Sequence, residues 1–448
     1  MKIIRKLPAI ILLFISLSQV LFAQTRPAWA NETDAQKEER MKWWHNDHFG
    51  MFIHWGLYSM PARHEWVRNH EKISNEEYEK YFNNFEPDLY NPKEWARKAK
   101  EAGMKYFVIT TKHHEGFCLW DSKYTDYKVT NTPIKRDLLK EMVDAFRAEG
   151  LKVGFYYSLI DWHHPDFPVD HIHPMRDNAE ARAANSKKDI KKYQQYLKNQ
   201  VTELLTQFGK IDELWLDFSY PGKDGKGHED WDSENLLKII RKLQPGIIVN
   251  DRLDLGDTDW GWDFKSPEQF MPKEWVSEKG KKVNWETCQT FSGSWGYHRD
   301  ETSWKSVPQL ISMLIETVSK GGNLLLNVGP TSRGLFDVRA DERLKGIGEW
   351  MKYNSRAIYG CTAAPAGFKK PDNSLLTYNA DRKRLYVHVL EWPIDVLSLD
   401  GYKGKVKYAQ ILNDGSEVKF KEEGENLVLR LPVKKPDTEV PVIELILE

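Results

Sequence analysis

The chain of 448 residues is poor in cysteine, with only Cys118, Cys288 and Cys361 spread along it. The odd number and the wide spacing exclude a disulfide framework and a zinc motif. We expect buried free thiols, and one bridge remains compatible with the count.

Neither charge is in excess, since the chain has 65 Lys and Arg residues and 66 Asp and Glu residues. This balance gives no reason to expect a nucleic acid or an anionic membrane surface as a partner.

Long apolar runs are also scarce, and the N-terminus MKIIRKLPAIILLFISLSQVLFAQ holds the only one that stands out. Basic residues precede an apolar stretch from Ala9 to Phe22, and the small residue Ala23 follows. This pattern predicts a signal peptide over residues 1–23 and export to the periplasm or the medium. The stretch has about 14 residues, fewer than the roughly 20 of a membrane-spanning helix. We therefore expect no membrane span in the mature chain.

Strand-like and helix-like segments alternate from about residue 49 to residue 355. The helix predicted over 91–103 has an Asn91 cap, Pro92 in its first turn and Gly103 at its end. The predicted strands are 49–56, 105–114, 152–162, 213–218, 246–252, 283–289 and 323–330, and the other predicted helices are 135–150, 189–209, 234–245, 306–322 and 342–355.

Repeated β-then-α units predict a parallel sheet wrapped by helices. Seven or eight such units favour a (β/α)8-like, TIM-type barrel over residues 24–358. A doubly wound open sheet is the alternative, but no G-x-G-x-x-G follows the first strand. Residues 359–448 instead contain short apolar runs separated by turn residues, which predicts a C-terminal antiparallel β-sandwich.

Polar residues collect where the predicted strands end, which is the face on which barrels carry their chemistry. Asp217 is the most conspicuous, because it lies inside the apolar run IDELWLDFSY. A carboxylate in a buried strand costs free energy unless it is paired, hydrogen-bonded or functional. The others at this face are His54, His113, His114, Tyr156, Tyr157, Asp251, Arg252 and Glu286, and the loop DWGWDFKSPEQF adds Asp263 and Glu268.

Three kinds of site fit this set of residues. Two carboxyls flanking a sugar bond would make a glycosidase. Histidines with an aspartate would make a metal site, but the adjacent His113 and His114 should point to opposite faces of a strand, so we expect no metal and no cofactor. The 18 tryptophans also suit a non-catalytic, lectin-like sugar site, which leaves Asp217 without a role.

Seven segments resemble the α-L-fucosidases of glycoside hydrolase family 29, and they follow the family's order over nearly the whole predicted mature chain. They are FGMFIHWGLYSMPARHEW (49–66), TTKHHEGFCLWDSKYTDY (110–127), GFYYS (154–158), ELWLDF (213–218), VNDR (249–252), WETCQTFSGSWGY (285–297) and SKGGNLLLNVGP (319–330). The resemblance implies a barrel followed by a β-sandwich. It also implies a retaining exo-α-L-fucosidase that removes terminal fucose from oligosaccharides or glycoconjugates through a covalent fucosyl-enzyme. Linkage preference and oligomeric state stay open.

The resemblance also implies a role for each matching residue. Asp217 falls at the position of the nucleophile, and Trp295 at that of an aromatic residue beside the methyl group of fucose. Residues at sugar-contacting positions are His54, Glu65, Trp66, His113, His114, Tyr156, Trp215 and Arg252.

Two glutamates compete for the role of acid/base. Glu286 lies in WETC at the end of a predicted strand, and Glu268 lies in the loop after Arg252. We favour Glu268, because the segment from VNDR to DFKSPE matches the region in which similar relatives carry the acid. The aromatic residues of that loop, Trp260, Trp262, Phe264 and Phe270, are expected to surround Glu268 and shield it from water.

Overall fold

The computed structural model describes residues 26–448. The predicted signal peptide, residues 1–23, lies outside the described residues. Within the described part, no helix combines the length and the apolar character that crossing a membrane requires. The three cysteines are buried and free, as expected.

The first part of the described chain is a curled sheet of seven parallel strands with helices around it. In spatial order the strands are β5, β4, β3, β2, β1, β9 and β8. Their bounds are β1 Phe49–Ile53, β2 Tyr106–Lys112, β3 Lys152–Ser158, β4 Glu213–Asp217, β5 Ile248–Val249, β8 Glu286–Thr290 and β9 Asn323–Val328; a hairpin, β6 Ser277–Glu278 and β7 Lys281–Lys282, lies between β5 and β8. Every strand pair in this sheet is parallel.

An extended stretch, residues 264–268, occupies the gap between the edge strands β5 and β8, and we call it the closing segment. Phe264 bridges to Asn250 after β5, and Glu268 bridges to Cys288 on β8. The backbone N–H of Gln269 donates to the carbonyl of Cys288 at 3.0 Å. The closing segment thus takes the place of an eighth strand, and the predicted (β/α)8-like fold is confirmed.

The helices begin largely where the sequence places caps. Asn91 caps α4 through the backbone N–H of Glu94, and Ser306 forms a capping box with Gln309 at the start of α10. The bounds are α1 Asp34–Asp47, α2 Val67–His70, α3 Asn75–Asn83, α4 Pro92–Glu101, α5 Leu138–Ala148, α6 Ala179–Ala183, α7 Ile190–Gln207, α8 His228–Trp231, α9 Ser233–Leu243, α10 Val307–Ser319 and α11 Val338–Asn354.

The C-terminal part is a pair of antiparallel sheets with an apolar core between them. One has the order β10, β11, β12, β17, β14, and the other has the order β13, β16, β15. The bounds are β10 Thr362–Ala363, β11 Ser374–Asn379, β12 Arg384–Val389, β13 Val396–Leu399, β14 Val406–Ile411, β15 Phe420–Glu423, β16 Asn426–Arg430 and β17 Val442–Leu447. The predicted β-sandwich is confirmed.

Candidate active site

Asp217 is the last residue of β4, and its side chain is only 13% exposed. The hydroxyl of Tyr156 donates to Asp217 Oδ2 at 2.7 Å, and Arg252 Nη1 lies 3.3 Å from Oδ1. Burial raises the pKa of Asp217 to about 6; Arg252 opposes this rise, Glu268 adds to it, and the bond from Tyr156 opposes it. Phe218 then leaves the strand with φ of 82°, a left-handed conformation that is uncommon for a bulky residue.

Arg252 connects two carboxylates. Its Nη1 contacts Asp217 as described, while its Nη2 donates to Glu268 Oε2 at 3.0 Å. The guanidinium is fixed from behind by Ser266, whose hydroxyl accepts from Nε at 2.9 Å and whose carbonyl accepts from Nη2 at 3.1 Å. Ser266 itself donates to Asp251 at 2.6 Å. A single planar cation therefore holds Asp217 and Glu268 on one side of the barrel mouth.

Glu268 lies on the closing segment, and its side chain is 42% exposed. The expectation that aromatic rings shield it is wrong. Phe264 is fully buried against Trp44, and Trp260 packs against Trp29. Phe270 points to solvent, being 59% exposed. The carboxyl of Glu268 instead faces water and Arg252, and Phe270 follows Gln269, whose left-handed φ of 58° ends the extended segment.

Glu286 lies at the start of β8, in the interior of the barrel, and has no exposed surface. The hydroxyl of Tyr106 donates to its Oε2 at 2.5 Å, and the indole of Trp215 donates to its Oε1 at 3.2 Å. The prediction that Glu286 lies at a strand end is wrong, because β8 begins rather than ends at this residue.

Three histidines line the same mouth. His54 Nδ1 is 2.6 Å from Asn327 Oδ1, and His114 Nδ1 is 2.7 Å from the hydroxyl of Ser158. The Nδ1 of His113 meets no hydrogen-bond partner among residues 26–448. Burial lowers the pKa of His54 to about 3, and burial together with the neighbouring histidines lowers those of His113 and His114 well below the usual value. All three are therefore neutral donors or acceptors at ordinary pH.

The prediction that His113 and His114 point to opposite faces is wrong. Strand β2 ends at Lys112, so the alternation of a strand no longer applies to them. Their ring centroids are 4.0 Å apart, and His114 Nε2 is 4.0 Å from Asp217 Oδ2. Both rings thus reach the mouth.

Glu65, Trp66 and Trp295 approach this mouth from loops. Glu65 Oε2 accepts from the backbone N–H of Trp295 at 3.1 Å and of Gly296 at 2.9 Å. Burial raises the pKa of Glu65 to about 7, and these two hydrogen bonds oppose the rise. The ring of Trp66 lies 5.1 Å from that of His114, and Trp295 lies 5.1 Å from His54. These residues border one region, whereas Tyr157, Asp263 and Glu286 do not: the hydroxyl of Tyr157 donates to Gln200 at 2.8 Å on the other face of β3.

Asp263 is elsewhere. It is buried in an ion pair with Arg40 of α1 and Arg241 of α9, each at 2.8 Å, and it also accepts from the backbone N–H of Val249. These arginines and Lys37 hold its pKa well below the usual range against the effect of burial. Asp263 therefore fastens the start of the closing segment to the helices.

Two residues that orient site residues are not predicted from the sequence. Asn327 orients His54 and donates to the carbonyl of Trp295 at 2.6 Å, and Ser266 holds Arg252. Asn327 carries a usable signal, since it is an amide in the middle of the buried run NLLLNV. Ser266 carries none, because a serine beside a proline in a loop is common.

Comparison with known proteins agrees with this geometry. The family model described as alpha-L-fucosidase matches residues 16–356. The chain belongs to the alpha-L-fucosidase family. As a member of this family, it is a glycoside hydrolase. Human plasma alpha-L-fucosidase is 31% identical to it over 377 residues, which cover 78% of this chain and 76% of the human protein.

Solved structures of alpha-L-fucosidases share the whole fold. Isoenzyme 1 from Paenibacillus thiaminolyticus is 47% identical, covers 92% of this chain and 99% of its own, and superposes with a TM-score of 0.87. A family 29 alpha-L-fucosidase from Bacteroides thetaiotaomicron is 30% identical, with a TM-score of 0.78 and coverage of 93% and 97%. That structure is a trapped covalent intermediate with 2-fluoro-fucosyl fluoride, obtained with a glutamate-to-glutamine mutant.

Proposed function

We propose that this alpha-L-fucosidase releases terminal α-L-fucose from glycans with retention of configuration, using Asp217 as the nucleophile and Glu268 as the acid/base. The observation that carries the proposal is the guanidinium of Arg252, which contacts both carboxylates at the barrel mouth. A covalent intermediate trapped in a relative supports the same route, since only retaining hydrolysis forms one.

In the first step Asp217 attacks the anomeric carbon while the carboxyl of Glu268 gives its proton to the leaving oxygen. In the second step the Glu268 carboxylate takes a proton from water, which attacks the fucosyl-enzyme and frees Asp217. Arg252 favours the ionised, nucleophilic form of Asp217 against the effect of burial. The side chain of Glu268 is 42% exposed, so water and the aglycone reach it from outside.

The shared cation also supports the stereochemical outcome. Retaining glycosidases place their two carboxyls about 5–5.5 Å apart, whereas inverting ones need about 6.5–9.5 Å to admit a water. Two carboxylates that contact neighbouring nitrogens of one guanidinium fit the shorter separation. Glu286 does not share this arrangement, because its oxygens face Tyr106 and Trp215 inside the barrel.

The rest of the mouth suits a 6-deoxy sugar. Neutral histidines accept from or donate to hydroxyls without the cost of desolvating a charge, and the free Nδ1 of His113 offers one such position. Glu65, held by the backbone beside Trp295, offers a carboxyl next to an aromatic surface. We propose that hydroxyls of fucose contact His54, Glu65, His113, His114, Tyr156 and Arg252, that Trp66 and Trp215 form walls, and that Trp295 covers the methyl group.

Hydrolysis of an aryl α-L-fucoside, followed by NMR, tests activity and stereochemistry together. We expect α-L-fucose as the first product and no turnover of the matching α-L-rhamnoside or β-D-galactoside. The inverted β-L-fucose as first product would refute the retaining route.

Because the sequence predicts export, glycans outside the cytoplasm are the proposed natural substrates.

Substitution separates the two roles. Asp217→Ala should lower turnover by several orders of magnitude, and added azide should restore part of it as the inverted β-fucosyl azide. Glu268→Ala should slow a sugar leaving group far more than a nitrophenol, and azide should rescue it with retention. Glu286→Ala is the matched control for the leaving-group effect. If only Glu286→Ala shows that effect, the acid/base is Glu286.

A further inference from the structure

Two buried glutamates face each other inside the barrel, away from the mouth. Glu213 begins β4 and Glu286 begins β8, and neither has exposed surface. Glu286 is the charged group that most strongly raises the pKa of Glu213, which places the two buried carboxyls side by side. Glu213 lies on the same strand as Asp217, four residues before it and on the same face, with Trp215 between them.

The two carboxyls have very different surroundings. Glu286 accepts from the hydroxyl of Tyr106 and the indole N–H of Trp215. No N–H or O–H group of any other residue within 26–448 donates to either oxygen of Glu213. Burial raises the pKa of Glu213 well above its usual range, and the neighbouring Glu286 raises it further; burial raises that of Glu286, but the donated hydrogen bonds oppose the rise.

Two carboxylates cannot both be ionised side by side in a dry interior, because like charges repel and neither charge is hydrated. The donors determine which one keeps the charge. Glu286 is surrounded by donors, so it is the carboxylate. Glu213 has only the Glu286 carboxylate as a partner, so it is the acid that donates to it.

We propose that Glu213 and Glu286 form a buried acid–carboxylate pair that positions Trp215, and through Trp215 positions Arg252. The Glu286 carboxylate holds the indole N–H of Trp215. The face of that indole lies under the guanidinium of Arg252, 5.2 Å from the ring centroid. Arg252 in turn holds Asp217 and Glu268. The inference rests on the proposed roles of those two residues.

Neighbouring strands leave space for this pair. A Cβ added to Gly50 on β1 would lie 2.4 Å from the ring of Tyr106, whose hydroxyl donates to Glu286. A Cβ added to Gly154 on β3 would lie 2.8 Å from Val108 and 3.3 Å from the Cβ of Glu213. The missing side chains of Gly50 and Gly154 therefore leave room inside the barrel for Tyr106 and for Glu213.

Amide substitutions test the assignment of the proton. In Glu213→Gln the amide N–H replaces the carboxylic O–H as donor, so kcat should stay within about threefold of wild type. In Glu286→Gln the charge that holds Trp215 is lost, and kcat should fall about 100-fold, the effect of displacing a catalytic group by about 1 Å. The loss should be equal for sugar and nitrophenol leaving groups, because Glu286 is a positioning residue and not the acid. Equal losses in the two variants would overturn the inference.

Infrared spectroscopy provides a readout that does not depend on catalysis or on the Glu286 variant. The spectra are taken well above pH 7, where Glu65 and Glu115, with pKa values of about 7, are ionised. The other groups facing the pair are Tyr106 and Asp212. We expect the C=O stretch of one protonated carboxyl in wild type and its loss in Glu213→Gln. Absence of that band in wild type, or its survival in Glu213→Gln, overturns the pair even if the roles of Asp217 and Glu268 hold.

Discussion

At the scale of single residues, the charge state of Asp217 depends on a few neighbours. Burial favours the protonated form, whereas Arg252 and the hydroxyl of Tyr156 favour the ionised form. Asp217, as the proposed nucleophile, must be ionised, so kcat/KM should fall as the pH drops through about 6, the pKa of this carboxyl.

Tyr156→Phe should move this acid limb to higher pH. Removing the hydroxyl removes a hydrogen bond to the ionised form, which raises the pKa of Asp217 by about one unit. The pH profile of kcat/KM measures the shift independently of any loss in absolute rate. Tyr157→Phe is the matched control, because the hydroxyl of Tyr157 donates to Gln200 on the other face of β3. An acid limb at the wild-type position in Tyr156→Phe would contradict the prediction.

The same shift predicts a stability effect. The pKa of Asp217 is about 6 in the folded protein and 3.8 in a free aspartate. Between pH 3.8 and 6 the folded state therefore binds more protons than the unfolded state, and its free energy of unfolding falls as the pH rises through this range. Asp217→Asn removes this penalty and should raise the free energy of unfolding above pH 6 by up to about 3 kcal/mol. Urea unfolding of the variant and wild type at two pH values measures it. A gain that is as large well below pH 4 as at neutral pH would show that another cause is responsible.

The site residues that could be predicted from the sequence are those whose neighbours in the chain already make them unusual. Asp217 was visible because a carboxylate interrupts an apolar strand, and Arg252 because it follows another strand. The shared orientation of His113 and His114 was not visible, since it depends on β2 ending at Lys112. The partnership of Arg252 with Ser266 was also hidden, because it forms only when the closing segment folds back along β8.

At the scale of elements, the interior of the barrel depends on residues that leave space. Gly50→Ala places a methyl group in the ring of Tyr106, which has no room to move because Tyr106 is only 1% exposed. We expect a loss of about 1–3 kcal/mol in the free energy of unfolding. Thermal or urea unfolding measures this.

Gly246→Ala is the control for that substitution, because nothing lies within 4 Å of the added methyl group. It should change stability by less than about 1 kcal/mol. If the two alanine variants were equally stable, the close packing of Tyr106 against β1 would be wrong.

Element positions followed from the sequence where caps and apolar runs agreed, as at Asn91 and Pro92 of α4. They did not follow where pairing is irregular. In the strand predicted over 246–252, only Ile248 and Val249 form ladder pairs with β4. Asn250 bridges to Phe264 of the closing segment, and its side chain bonds the backbone of Leu216 on β4. A side chain that hydrogen-bonds the backbone of another strand in this way depends on the tertiary structure, and no periodic pattern in the sequence predicts it.

At the scale of the whole molecule, the sandwich is joined to the barrel by buried contacts. The indole of Trp350 on α11 donates to the carbonyl of Val440 at 2.9 Å, and Thr377 donates to the carbonyl of Ala357 at 2.7 Å. Val440 and Val442 belong to the same apolar cluster as the barrel core. The two parts should therefore unfold together.

Val442→Ala should lower the temperature at which fucosidase activity is lost, although Val442 lies in the sandwich. Its side chain is fully buried, and removing two methyl groups costs about 2–3 kcal/mol. Thermal inactivation followed with an aryl fucoside measures the effect. Val433→Ala is the control, because Val433 is 74% exposed. Activity that survives to the wild-type temperature in Val442→Ala would mean that the barrel unfolds independently.

The anchoring of Asp263 has a consequence for insertions and deletions. Asp263 fixes the start of the closing segment by its bonds to Arg40, Arg241 and Val249, and Glu268 follows five residues later. A residue gained at the exposed Asp257 or Asp259 leaves the spacing from Asp263 to Glu268 unchanged, whereas one residue gained between Asp263 and Glu268 turns the carboxyl to the other side of the barrel wall. In an alignment, the proposed acid/base is therefore found by counting from the buried Asp263 and not from Arg252.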